Sequence, residues 1–129
     1  KRLSQAKNPE YAGEAQYTLA ELSFLAGDTE GAEKMIHQIN ANPSSEYWLA
    51  KTFVLWADIF KSKGNVLQAK QTLQSIVDNY DGDEELIETA KQKLLQLTEE
   101  QDKTRKENET KRMEHNAAVD EVIIEEQEQ

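Results

Sequence analysis

The side chains that could do chemistry in this 129-residue chain are few: two His, no Cys, and a run of acids between residues 78 and 85. His37 stands beside Ile36 and Ile39, and only Glu33 and Asn40 lie at helical spacing from it, which is not a ligand set. It reads as a surface or helix-packing histidine. Glu114-His115 lacks the His-Glu-x-x-His spacing of a zinc helix. Asp78, Asp81, Asp83, Glu84 and Glu85 lack the order of a calcium loop, and fit a turn followed by acids at the positive end of a helix. Without cysteine there is no disulfide and no thiolate metal site. No glycine-rich phosphate loop or serine elbow is present, so the sequence reads as a non-enzyme with no metal and no cofactor. Among the aromatics, Phe53, Trp56 and Phe60 recur at three and four and read as packing rather than a ligand box. Trp48, near a helix start, leaves both readings open.

The charge bounds the partners. With 15 basic and 25 acidic residues the chain carries −10, which argues against nucleic acid or an anionic membrane surface. No apolar run approaches the ~20 residues of a membrane-spanning helix, so no insertion by this segment is expected. The chain begins Lys1-Arg2-Leu3 without Met or a signal peptide and reads as a piece of a longer protein.

The acidity is not uniform. Residues 98–129 hold 5 basic against 11 acidic residues (−6), and residues 1–97 hold 10 against 14 (−4). From Thr98 to Met113 there is no aromatic or aliphatic residue, a composition that cannot bury a core of its own. Yet no Gly or Pro follows Gly82, and Glu99/Lys103, Asp102/Lys106 and Glu107/Lys111 have helical ion-pair spacing. The segment 98–129 is therefore an acidic tail, helical or disordered. Its end, Val119, Val122, Ile123 and Ile124 between acids, reads as a frayed terminus or as a short amphipathic helix that docks on the groove, on another copy or on another chain.

The first 97 residues predict an all-α domain. Asn8-Pro9-Glu10 is a helix start, and Tyr11, Ala15, Leu19, Leu22 and Ala26 make its apolar stripe until the stop at Gly27. Asp28 caps a second helix carrying Ala32, Met35, Ile36 and Ile39 up to Asn42-Pro43. Ser44 or Ser45 opens a third with Leu49, Phe53, Trp56, Ala57 and Phe60, ending at Gly64. Asn65 caps a fourth with Ala69, Leu73, Ile76 and Val77. Asp83 starts a fifth with Leu86, Ile87, Ala90, Leu94 and Leu97. The hairpins span about 9–42 and 45–80, with a capping helix from 84.

The first four helices are one long and short pair written twice. Gly27-Asp28 and Ala32 match Gly64-Asn65 and Ala69 at an offset of 37 residues, as do Ala20 with Ala57, Ile36 with Leu73, and Ile39 with Ile76. The fifth helix overlays the first at about two periods, as a truncated third unit. A hairpin with one apolar face too large to leave wet gains a continuous core by stacking on its neighbours.

These residues resemble the tetratricopeptide repeat (TPR) family. Its unit carries a large apolar residue, Leu, a small residue, an aromatic, Gly-Asp/Asn, and Ala five residues after the Gly. Phe53, Trp56, Ala57, Phe60, Gly64-Asn65 and Ala69 follow it closely. Gln16, Leu19, Ala20, Ser23, Gly27-Asp28 and Ala32 depart at the first apolar position and the aromatic. The period of 37 exceeds the usual 34, as in TPR proteins of Gram-negative bacterial envelopes, so a periplasmic or envelope location is what the resemblance implies. It covers residues 9–97 and implies an α-solenoid of two hairpins plus a long C-terminal helix.

The resemblance also implies a function: a non-enzymatic interaction module or scaffold binding a peptide or partner protein in a concave groove. Carried over position by position, the groove would present Glu14, Tyr17, Glu21, Phe24 and Leu25 from the first unit, and Lys51, Val54, Asp58, Lys61 and Ser62 from the second. The clamp with which some TPR domains hold a carboxylate terminus is not reproduced, because acids stand at Glu21 and Asp58. The alternative is a structural C-terminal cap of a longer solenoid, with self-association to a homo-oligomer through the tail.

Overall fold

A computed structural model describes residues 9–128, with side chains described for residues 10–118. The described residues are all-helical. Five helices follow in order: α1 (Pro9–Leu25), α2 (Thr29–Ala41), α3 (Glu46–Ser62), α4 (Val66–Asn79) and α5 (Glu84–Glu128). The chain divides into two compact units, Lys1–Leu95 and Gln96–Gln129.

The helix ends follow from local chemistry. Gly27 and Gly64 take left-handed backbone, at φ 92° and 82°. Each ends its helix with the same pair of bonds: Gly27 N–H to Phe24 C=O with Asp28 N–H to Ser23 C=O, and Gly64 N–H to Lys61 C=O with Asn65 N–H to Phe60 C=O. This is the glycine C-terminal motif, in which two carbonyls that the helix leaves free are satisfied after the turn. Asp28 then caps α2 by accepting from Gly31 N–H at 3.0 Å, and Ser45 caps α3 by accepting from Trp48 N–H at 3.2 Å. Asp83 accepts from Leu86 N–H at 2.8 Å ahead of α5. Asn65 occupies the cap position of α4 but makes no side-chain cap bond. The cap expected from Asn8 lies outside the described residues.

In the first unit, α1 packs on α2, α3 packs on α4, and both α1 and α2 touch α3. The residues 37 apart take the same places. Ala20 and Ala57, Ala32 and Ala69, Ile36 and Leu73, and Ile39 and Ile76 are all at most 3% exposed. The alanines let helices approach closely, and the branched residues fill the space between them. One cluster, Ala20, Ala32, Ile36, Leu55 and Ile59, joins α1, α2 and α3, with Tyr17, Phe24, Met35 and Trp56 packed around it. Thr52 is fully buried, and its hydroxyl donates to Trp48 C=O at 2.7 Å.

One expectation is corrected. The stripe Tyr11, Ala15, Leu19, Leu22 and Ala26 was to be the buried side of the first helix, but all five residues are exposed. The side of α1 that packs carries Gly13, Tyr17, Ala20 and Phe24 instead. At 100° per residue those positions fall on the opposite face.

In the second unit, residues 99–118 are exposed throughout, including Met113, and the backbone is helical to Glu128. Arg105 pairs with Asp102 at 3.5 Å, three residues back.

Candidate functional site

The side-by-side packing of α1 and α3 gathers polar and aromatic groups along one seam. Tyr47, Trp48 and Lys51 are neighbours at three and four on α3, and Tyr17 reaches them from α1. The Tyr17 and Trp48 rings lie 5.7 Å apart, and Tyr47 meets Trp48 edge to face at 5.0 Å. The Lys51 ammonium sits over all three rings, 5.5 Å from Tyr17, 5.8 Å from Tyr47 and 5.7 Å from Trp48. Such contacts attract because the face of an aromatic ring is negative, each contributing about 0.5–1 kcal/mol at partly exposed sites.

The acids of this seam are partnered. Trp48 Nε1 donates to Glu10 at 3.1 Å, tying the starts of α1 and α3 together. The Tyr17 hydroxyl donates to Glu21 at 3.2 Å. Lys93, from α5, donates to Asp58 on α3 at 3.2 Å. The Tyr17 phenol is pushed far above its ordinary range by burial first, then by the Glu21 charge and its hydrogen bond, with smaller contributions from Asp58 and Tyr47. It is therefore a neutral hydrogen-bond donor at any physiological pH.

Of the residues expected to line a groove, Tyr17, Glu21, Lys51 and Asp58 take part in this network. Glu14 and Lys61 are exposed, as is Ser62. Leu25 is 73% exposed, a bare apolar side chain at the end of α1. Phe24 is half-buried against the core cluster, and Val54 is buried, so both serve chiefly in packing. Sequence reasoning missed Glu10, Tyr47 and Lys93. The Tyr47-Trp48-x-x-Lys51 spacing was a usable local signal. The pairings with Glu10 and Lys93 span 38 and 35 residues and left no local trace.

The aromatic row on the other side of α3 packs upon itself. Trp56 stacks on Phe60 at 5.4 Å and meets Phe53 at 5.9 Å, while the exposed His37 sets its ring edge-on to Trp56 at 5.1 Å. These rings line an open cavity of about 310 Å³ with Gln68, Gln71, Thr72 and Ser75. Among the described residues no three His, Asp or Glu side chains are grouped to hold a metal ion. No described helix is long and apolar enough to cross a membrane.

Comparison of the chain with protein-family models, curated proteins and solved structures finds no match.

Proposed function

We propose that this chain is a non-enzymatic protein-interaction module built as a TPR-like array, which takes a peptide or partner segment on the surface shared by α1 and α3. The observation that carries the reading is the equivalence at 37 residues. The two helix pairs bury the same positions and turn at the same left-handed glycines. Their first helices touch, so successive units present one continuous surface. On that surface stand exposed Glu14 and Leu25, half-buried Tyr17, and a lysine held by three rings. Aromatic and apolar anchors amid polar groups of both signs suit a modest peptide interface.

The test is a peptide array read with the wild type and with Tyr17→Ala/Lys51→Glu, both checked for native circular dichroism. Peptides that bind the wild type are expected to lose at least about tenfold in affinity, equivalent to ~1.4 kcal/mol. Binding unchanged by the double substitution would overturn groove capture.

A second reading concerns the tail, which is helical to Glu128 although residues 99–118 are all exposed. A long solvated helix ending in Val119, Val122, Ile123 and Ile124 is suited to associate with a second copy. Light scattering before and after removal of residues 114–129 decides this. An unchanged mass per particle sinks it.

A further inference from the structure

The exposed stripe of α1 has a buried counterpart. Adding 37 residues carries Tyr11 to Trp48, Ala15 to Thr52, Leu19 to Trp56 and Leu22 to Ile59. In α3, Thr52 and Ile59 are fully buried and both tryptophans half-buried, whereas Tyr11 is 47% and Leu19 and Leu22 are each 56% exposed in α1. What covers the α3 stripe is visible. Ile59 packs in one cluster with Ala20 of α1 and Ile36 of α2, Trp56 meets His37 of α2, and Lys63 pairs with Glu33 of α2 at 3.2 Å.

We infer that the α1 stripe is a docking face for a further helix pair of the same 37-residue repeat, preceding α1 in the same polypeptide and covering α1 as α1 and α2 cover α3. The repeat supplies the occupant's chemistry: a small residue where Ala20 stands and a branched aliphatic where Ile36 stands, so that Leu22 enters the place Ile59 fills. At the position matching Lys63 stands Ala26, so no acid corresponding to Glu33 is required of the occupant. A second copy of this chain does not meet the need. The surface of α1 and α2 that would do the covering is already filled by α3 within each copy. The inference rests on the repeat reading above and extends it from a groove to the way the array grows.

The chain has no cysteine, so a single introduced thiol reports on this face alone. Leu22→Cys is placed in the 129-residue chain and in a longer chain carrying a second copy of residues 9–45 directly ahead of Pro9, the register in which α2 leads into α3. Maleimide labelling at Leu22→Cys is expected to slow at least tenfold in the longer chain, while Lys34→Cys, whose counterpart Gln71 is exposed in the covered pair, labels at the same rate in both. Equal rates at Leu22→Cys would overturn the inference, as would an added pair that melts apart from the rest.

A second measurement does not depend on the longer chain folding. Leu22→Lys in the 129-residue chain should leave its thermal midpoint and mass unchanged, because the face is open. If the parent chain is a dimer that Leu22→Lys dissociates, a second copy is the occupant and the inference fails. Loss of stacking with peptide capture intact would remove this inference alone. Loss of the Tyr17/Lys51 effect would remove only the groove.

Discussion

The Lys93 ammonium lies 3.2 Å from Asp58 Oδ1 and ties the third turn of α5 to the C-terminal half of α3 across 35 residues of sequence. Both side chains are more than a third exposed, so their attraction is screened by water and offset by the entropy of holding two flexible groups. Lys93→Ala and Asp58→Ala should each cost no more than about 1 kcal/mol in urea denaturation at low salt. The double-mutant coupling should shrink further in 1 M NaCl. A coupling well above that, insensitive to salt, would mean that the pair is far better shielded than its exposure indicates.

The left-handed glycines are a sharper case. A Cβ at Gly27 or Gly64 meets no atom within 4 Å, so any effect of Gly→Ala there is that of the backbone alone. At φ 92° and 82° an alanine is strained by about 1–2 kcal/mol. Gly27→Ala and Gly64→Ala should lower the denaturation midpoint by similar amounts with an unchanged slope, and Gly64→Asn should cost less than Gly64→Ala. Unequal losses would break the equivalence of the two turns.

The same equivalence makes a contrast within the apolar stripes. Ile59→Ala opens a cavity in the cluster shared with Ala20 and Ile36 and should cost about 2–5 kcal/mol. Leu22→Ala, at the matching but open position of α1, should stay within about 0.5 kcal/mol of the wild type. Thermal or urea melts of the two variants side by side check both values.

That contrast also marks what sequence reading could and could not reach. Gly27, Gly64, Asp28 and Ser45 act within a few residues of themselves, so their roles were legible from residue type and spacing. The α1 stripe was read as buried because periodicity identifies an apolar face but carries no information on whether a neighbour covers it. The seam was half legible. Tyr47, Trp48 and Lys51 share a helix turn, but Tyr17 and Glu10 join them only through the packing of α1 on α3, and Lys93 only through its pair with Asp58. Val54 was placed on the groove by family position, yet it is buried. The Asn65 cap was expected from residue type, but the side chain is not used.

Tyr17 gives a pH-dependent signature of the seam. Burial and the adjacent Glu21 carboxylate keep its phenol protonated in the folded state well beyond the pH of about 10 at which the unfolded chain's tyrosine ionises. Above that pH the unfolded state releases a proton that the folded state retains, so unfolding is increasingly favoured. The contribution is complete below pH 10 and is lost as pH rises through the raised folded-state value. Urea curves between pH 8 and 11.5 should therefore show stability falling more steeply for the wild type than for Tyr17→Phe. Glu21→Gln should lie between the two, since it removes the charge but leaves the burial that is the larger cause. Parallel alkaline limbs for the wild type and Tyr17→Phe would show that the Tyr17 hydroxyl faces water rather than Glu21, and that the α1–α3 seam is open.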